Sequence, residues 1–424
     1  MSILQTLRDR CLVDNVTSVD LSKKLSNNSL CFYVGFDPTA DSYHVGQLAV
    51  FNLMGLLQDA GHKPIALVGG ATGMVGDPGG KSKERNLLSQ DQIKSNIAGQ
   101  QQQLQRFLCF EGKCAARIMN NHDWLGKWSY LDFLRDVGKH FSVNQMMARD
   151  SVKSRLSREG EGISYTEFSY MLLQSYDFYY LCQHENCTLQ LGGSDQWGNI
   201  VSGIDLTRRM IQKEVFGLTM PLVTKSDGTK FGKSESGTVW LSADKTSPFA
   251  FYQFFLRTED ADVGRFLRML TTIPLNEIEA LEETLESQAH LRHPQKRLAE
   301  FLTRRVHGDD QLQRVLRASE AMYGGEIADL DDQTVSQIFA DVPTHTISTV
   351  TLKEGWSILE ALAEAGACKS KSEARRLVVS GGAYLNNKKV TDIDFKLTPA
   401  DLVSASYLVL RTGKRNYRLV RVGC

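Results

Sequence analysis

The chain has 424 residues, 42% of them hydrophobic and 23% charged, with 49 Lys plus Arg against 49 Asp plus Glu. That profile belongs to a folded globular chain and excludes a disordered or collagen-like one. The sequence holds no run of 18 apolar residues, so a membrane-spanning helix is excluded, and the length predicts roughly two to three domains.

The opening segment, Met1 to Arg10, carries charge early and has no apolar core, so no targeting segment is expected. Residues 31–36 read as a buried strand stopped by Asp37-Pro38, and Asp41-Ser42 is placed to cap a helix running to about Ala60. Further strands are expected at 64–70, 116–119, 188–191 and 215–224, with a helix from about Asp195. Strands alternating with helices predict a parallel sheet covered on both faces, with its ligand at the carboxyl ends of the strands. The unusual loops, after Phe36, Val68, Leu191 and Thr224, fall at those ends. Residues 248–322 read as helical, and 324–350, rich in Asp, Thr and Ser, as a linker without the apolar pattern for firm docking, so the last domain is expected to move independently. Helices are expected at 357–365 and 369–377, the second ended by Gly381-Gly382. Strands follow, turning at Asn386-Asn387 and at Thr412-Gly413-Lys414. No repeat or low-complexity segment stands out beyond Gln100 to Gln103.

The eight Cys are irregularly spaced and form no Cys-x-x-Cys, which reads as reduced thiols. Cys182, His184 and Cys187 lie close together, but zinc sites need a second paired cluster, so no metal site is expected. The neutral total conceals an asymmetry. Residues 351–424 hold 13 Lys or Arg and 7 Asp or Glu, a net of +6, and the other 350 residues carry −6. A compact basic module on an acidic body points to a nucleic-acid partner, with a solvated basic face as the alternative. Lys369, Lys371, Arg375, Arg376, Lys388 and Lys389 are the candidate contacts.

Four loops carry candidate chemistry. Residues 35–47 join a strand to a helix start, where free backbone N–H groups suit phosphate; His44 and Gln47 share a helix face. Residues 69–80 contain six glycines but match no phosphate-loop spacing, so they form either a flexible turn or a close approach to a ligand, with Asp77 as an acceptor. Tyr170, Gln174 and Asp177 line one helix face, either solvated or the wall of a polar pocket. Lys230 and Lys233, three apart in a glycine-flanked loop, form an exposed turn or suit a polyphosphate leaving group.

Taken together the motifs resemble the bacterial-type tyrosyl-tRNA synthetases, a class I aminoacyl-tRNA synthetase family. His44-Val45-Gly46-Gln47 is similar to the His-Ile-Gly-His signature, and Lys230-Phe231-Gly232-Lys233-Ser234 to Lys-Met-Ser-Lys-Ser. Tyr33 to Ser42, Tyr170 to Gln174 and Gly192 to Asn199 extend the match. Ser370 to Arg376 with Tyr384-Leu385-Asn386 resembles an RNA-binding domain named after a small-subunit ribosomal protein.

The resemblance implies a Rossmann-like parallel-sheet catalytic α/β domain at 1–242. An α-helical anticodon-binding domain at 243–330, a linker at 331–350 and a small α+β RNA-binding domain at 351–424 would follow. It implies a tyrosine–tRNA ligase with tyrosine, ATP and tRNA(Tyr) as substrates, Mg2+ arriving with ATP rather than on a dedicated protein site, a cytoplasmic location without membrane attachment, and a homodimer formed largely through residues 121–162. By resemblance the catalytic residues are Thr39, His44, Lys230 and Lys233, with Gly35, Asp37, Gly46, Gln47, Gly192, Asp195 and Ser234 also at ATP. Tyrosine's ammonium would meet Asp77, Tyr170 and Gln174, its carboxylate Gln196, and its phenol hydroxyl Tyr33 and Asp177. Rejection of phenylalanine would follow from leaving the last pair unpaired, for which this family is the standard instance. Two positions depart from the pattern. Gln47 replaces a His, keeping an N–H donor without a charge, and Val34 replaces a frequent Cys.

Overall fold

The computed structural model describes residues 2–423 apart from 78–88, 150–151, 154–155, 157–161, 230, 235–236, 323–326, 328–329, 340–341 and 414–415. The chain divides into two units, Met1–Lys245 with Leu256–Leu298, and Thr246–Phe255 with Ala299–Cys424.

The first unit is built on a six-stranded sheet of β1 (Asn15–Val16), β2 (Cys31–Phe36), β3 (Lys63–Val68), β4 (Arg117–Asn120), β5 (Cys187–Gly193) and β6 (Phe216–Met220), in the order β1-β6-β5-β2-β3-β4. β2 runs parallel to β3 and β5, β3 to β4, and β5 to β6. Five of the six β2 residues are buried, as a strand covered on both faces requires. From β2 the chain passes to β3 and β4 on one side and later to β5 and β6 on the other. The topological switch therefore lies between β2 and β5, where an open α/β sheet leaves its ligand crevice. β1 pairs antiparallel with β6, and its two residues offer no periodicity from which a strand could be read.

The helix expected from Asp41-Ser42 begins later. A single 3-10 turn, Val45–Gln47, capped by His44, leads into the Leu48–Asp59 helix, which buries Leu48, Ala49, Phe51, Leu53, Met54 and Leu57. The division expected at 242/243 also differs from the observed one. Helices Asp260–Leu270 and Leu275–Gln288 belong with the sheet. The Arg10 guanidinium donates to the Thr271 and Ile273 carbonyls at 2.8 and 2.7 Å, and Asn52 Nδ2 to the Met269 and Thr271 carbonyls at 2.9 Å each. Periodicity announces such helices but not the backbone carbonyls at their ends that buried polar side chains must satisfy.

In the second unit a five-stranded sheet runs in the order Lys388–Val390, Ala383–Leu385, Tyr407–Thr412, Asn416–Gly423, Thr344–Ser348, the last pair parallel and the others antiparallel. Helices Ile358–Glu364 and Lys371–Val379 share its core, with Leu362, Ala374, Val378, Leu408, Leu410 and Val420 buried together. Asn386 and Asn387 adopt φ of 52° and 64°, the left-handed pair a two-residue hairpin demands. The stretch expected as a linker is largely structured. Asp332–Ile338 is helical, Thr344–Ser348 is the parallel edge strand, and Val335, Ile338, Phe339 and Ile347 are buried. Its apolar residues are spaced too sparsely among polar ones to show as a pattern. Among the described residues no helix is long and apolar enough to cross a membrane.

Candidate active site

Six of the predicted residues fall into two hydrogen-bond networks of the first unit, Asp37, Tyr170 and Asp177 in one and Asp77, Gln174 and Gln196 in the other. Asp177, on the Tyr165–Glu185 helix, is 2% exposed. Its Oδ2 accepts from Asn121 Nδ2 at 2.9 Å and its Oδ1 from Trp124 Nε1 at 2.8 Å. Burial pushes this carboxyl up to about 7, and the two hydrogen bonds to its charged form hold it from rising further. Tyr33, on β2, is 1% exposed, and its hydroxyl has no hydrogen-bond partner among the described residues. Burial, and secondarily the negative charge of Asp177, drive the Tyr33 phenol well above its ordinary range. A buried hydroxyl without a partner costs about 1–3 kcal/mol, a cost that a ligand hydroxyl placed here could offset.

Asn121 and Trp124 are not singled out by the sequence, where they fall only within the 121–162 segment expected at the dimer interface. The signal was nevertheless present, because Asn121 follows β4 directly, at the carboxyl end of a parallel strand. Asn121 also donates to Thr72 Oγ1 at 3.0 Å and accepts the Ala71 N–H at 2.8 Å. Thr72 donates in turn to Asp37 Oδ1 at 2.9 Å, and the buried Tyr170 hydroxyl donates to Asp37 Oδ2 at 3.0 Å. Asp37, expected at ATP, thus turns its carboxylate to groups of the amino-acid end. At Gly69 an added Cβ would stand 2.3 Å from Asp37 Oδ1 and 2.4 Å from Thr72 Oγ1, so only glycine allows this approach.

Gln174 Nε2 donates to Gln196 Oε1 at 3.2 Å, Gln174 Oε1 accepts from Asn199 Nδ2 at 3.0 Å, and Gln196 Nε2 donates to Asp77 Oδ2 at 2.7 Å. The charges of Asp37 and Asp77 both bear on the buried Tyr170 hydroxyl, so carboxylates gather here in a setting that suits an ammonium group. Gly192 packs against Gln196, whose Cβ would lie 2.8 Å from an added methyl, and Asp195 stands exposed at the rim.

At the other end, His44 Nδ1 accepts the Gly46 N–H at 3.0 Å, and the His44 N–H donates to Gln47 Oε1 at 3.0 Å. With Nδ1 an acceptor, the neutral ring carries its proton on Nε2. Burial lowers the His44 pKa, so the ring acts as a neutral donor near pH 7. Gln47 closes a capping box, which its amide performs without a charge. An added Cβ at Gly46 would meet His44 Cε1 at 2.7 Å, so glycine here admits the folded-back ring.

The two signature loops meet. Tyr43 and Val45 exchange backbone hydrogen bonds with Val239 and Leu241, His44 bridges to Trp240, and Gly232, at φ +88°, would place a Cβ 3.0 Å from Val45 Cγ2. Thr39, Gly35 and Lys233 are exposed. Lys230 and the Ser234 side chain lie outside the described residues.

In the second unit Lys369, Lys371, Arg375, Arg376, Lys388 and Lys389 are all exposed. Lys371 pairs with Glu360 at 2.8 Å. Lys389 passes so close to Gly381 that an added Cβ would stand 2.3 Å from its Cε, joining the hairpin to the end of the Lys371–Val379 helix.

Residues 25–324 match the family of tRNA synthetases class I (W and Y), and 334–420 match the tyrosine–tRNA ligase SYY-like C-terminal domain. The chain is 50% identical over 423 residues to a tyrosine–tRNA ligase of Rhodopirellula baltica, covering 99% of this chain and 96% of that one. It is 48% identical over 426 residues to that of Geobacillus stearothermophilus, covering 99% and 100%. A C-terminally truncated mitochondrial tyrosyl-tRNA synthetase of Coccidioides posadasii superposes with a TM-score of 0.65 at 32% identity, over 74% of this chain and 91% of that one.

Proposed function

The chain belongs to the class I tRNA synthetase family of the tyrosine and tryptophan type, and on that premise we propose that it is a tyrosine–tRNA ligase whose amino-acid choice is made by Tyr33 and Asp177. The enzyme joins tyrosine to ATP, releasing pyrophosphate, and passes the tyrosyl group from the adenylate to the 3′ end of tRNA(Tyr). The tyrosine carboxylate attacks the α-phosphorus while the bond to pyrophosphate breaks. The nucleophile is already an anion, so the step needs alignment and stabilisation of the leaving charge rather than a general base.

Tyrosine's phenol would donate to Asp177 and accept from Tyr33, its ammonium would meet Asp77, Tyr170 and Gln174 with Asp37 adding field, and its carboxylate would lie near Gln196. Thr39, the Nε2–H of His44, Lys230 and Lys233 would bind the phosphates, with Ser234 as a helper. Gly35, Gly46, Gln47, Gly192 and Asp195 would line the nucleoside. The phosphate end offers N–H, O–H and ammonium donors, which fit phosphate oxygens and not a cation, so Mg2+ would travel with ATP. The +6 C-terminal domain, through Lys369, Lys371, Arg375, Arg376, Lys388 and Lys389, would hold tRNA. We assign the signature-bearing catalytic part to about 242, anticodon-binding to the following helices, of which Asp260–Leu270 and Leu275–Gln288 pack in the same compact unit as the sheet, and RNA-binding to the C-terminus. Exposed Tyr130, Leu131, Val143 and Met147, in the 121–162 segment, and Tyr165 just after it support a homodimer through that segment; we place the protein in the cytoplasm without membrane attachment.

The observation that carries the reading is the unpartnered buried Tyr33 hydroxyl beside Asp177. ATP–pyrophosphate exchange tests it: tyrosine should support exchange, and phenylalanine and tryptophan should not. Exchange with tryptophan in place of tyrosine, or with no amino acid, would overturn it.

A further inference from the structure

The glutamine run at 100–103 lies on a helix, Gln90–Leu104, whose amide side chains read the backbone of the loop before His44. Asn96 Nδ2 donates to the Pro38 carbonyl at 2.8 Å, and Gln100 Nε2, on a side chain 2% exposed, to the Ala40 carbonyl at 3.0 Å. Gln103 Oε1 accepts the Tyr43 N–H at 2.9 Å, and its Nε2 donates to Ser42 Oγ at 2.9 Å. Positions 96, 100 and 103 share one helix face, and they meet every second or third residue of the loop. Gly99 leaves room for this, since an added Cβ would fall 2.1 Å from the Asp41 carbonyl oxygen. Ser42, 3% exposed, links the ladder to the segment that follows the other signature loop. Its Oγ accepts the Ser242 N–H at 3.1 Å and donates to the Tyr43 carbonyl at 2.9 Å.

We propose that Asn96, Gln100 and Gln103 are positioning residues for adenylate formation: the amide ladder fixes the 38–43 backbone, and through Ser42 sets Thr39 and His44 in register with the 239–242 segment that follows the second signature loop. None of the three bonds a group assigned to tyrosine, so the ladder acts on the phosphate end alone. This inference rests on the reading of Thr39 and His44 as phosphate-binding groups. Loop backbones carry polar groups that must be paired once buried. A helix face of amides pairs them with no charge, which leaves the field at the phosphate position to His44 and the lysines.

The test compares Asn96→Ala, Gln103→Leu and Gln103→Glu with the parent enzyme and with His44→Ala. Gln103→Leu removes both contacts, whereas Gln103→Glu keeps the acceptor for the Tyr43 N–H. Tyrosine-dependent pyrophosphate exchange is measured beside the tyrosine Kd and the melting temperature. Gln103→Leu should lower the exchange kcat about tenfold, within the cost of a misplacement of under an ångström. The tyrosine Kd should stay within about twofold, Gln103→Glu should recover most of the loss, and Asn96→Ala should show a smaller loss of the same kind. If His44→Ala is impaired while both Gln103→Leu and Asn96→Ala keep the parent kcat, the ladder has no positioning role. A tyrosine Kd that worsens in step with kcat would equally overturn it, marking a general structural defect. Parent-like exchange by His44→Ala would overturn the phosphate-end reading and the ladder's role with it.

Discussion

Tyr33, Tyr170 and Asp177, proposed to hold the amino acid, stand on β2 and the Tyr165–Glu185 helix and are buried, whereas Thr39 and Lys233, proposed to hold the phosphates, are exposed on a loop and a two-residue strand. The amino-acid end is a dry constellation. Asp177 is held by two side-chain donors, and the Tyr33 hydroxyl has no partner among the described residues. The phosphate end is held by backbone pairing between loops and by the amides of the Gln90–Leu104 helix. The contrast fits the chemistry proposed for each end. Telling tyrosine from phenylalanine depends on buried groups that lose when unpaired. Stabilising a leaving pyrophosphate depends on donors aimed at charge that appears only in the transition state.

Breaking the phosphate end should produce the largest effect. His44→Ala is expected to lower the exchange kcat by about 10²–10³-fold, the usual cost of one donor to a developing charge, with tyrosine affinity unchanged by equilibrium titration. A parallel loss of affinity would merge the two ends into one.

Breaking the support of the amino-acid end should act on choice. Asn121→Ala leaves Asp177 with one donor fewer, and the ratio of kcat/KM for tyrosine over phenylalanine should fall about tenfold, the scale of one lost hydrogen bond to a charged group. The rate with phenylalanine itself should hardly move.

The same carboxylate sets a pH dependence. With its pKa raised to about 7 by burial, Asp177 is ionised above that value and neutral below it. The ionised form is the better acceptor for the phenol O–H. Tyrosine should therefore bind more weakly as pH falls through 7, by up to about tenfold per unit. Asp177→Asn should flatten that profile, measured as tyrosine Kd between pH 5.5 and 8.5.

The smallest effect is expected in the second unit. Replacing Arg375 and Arg376 with Ala should raise the KM for tRNA several-fold and reduce the salt dependence of charging by about two in slope, leaving pyrophosphate exchange untouched.

Much of this was legible in the sequence. Strands β2 and β3 are largely apolar runs, and the loops that carry the signature residues follow the carboxyl ends of the parallel strands. What escaped depends on pairing across distance. Asn121, Trp124 and Thr72 act only through partners some 35 to 56 positions away in the chain. The amides at 96, 100 and 103 look like a polar run until the 38–43 backbone is laid against them. The Asn15–Val16 strand and the 344–348 strand are fixed by neighbours rather than by their own composition. The helices after Asp260 join the catalytic sheet because Arg10 and Asn52 satisfy their terminal carbonyls, which no local pattern reports.

The most direct measurement is the ratio of kcat/KM for tyrosine over phenylalanine in ATP–pyrophosphate exchange, taken for the parent, Tyr33→Phe and Asp177→Asn. The two groups are predicted to supply the discrimination, so each substitution should reduce the ratio by about tenfold or more. An undiminished ratio in both variants would contradict the account.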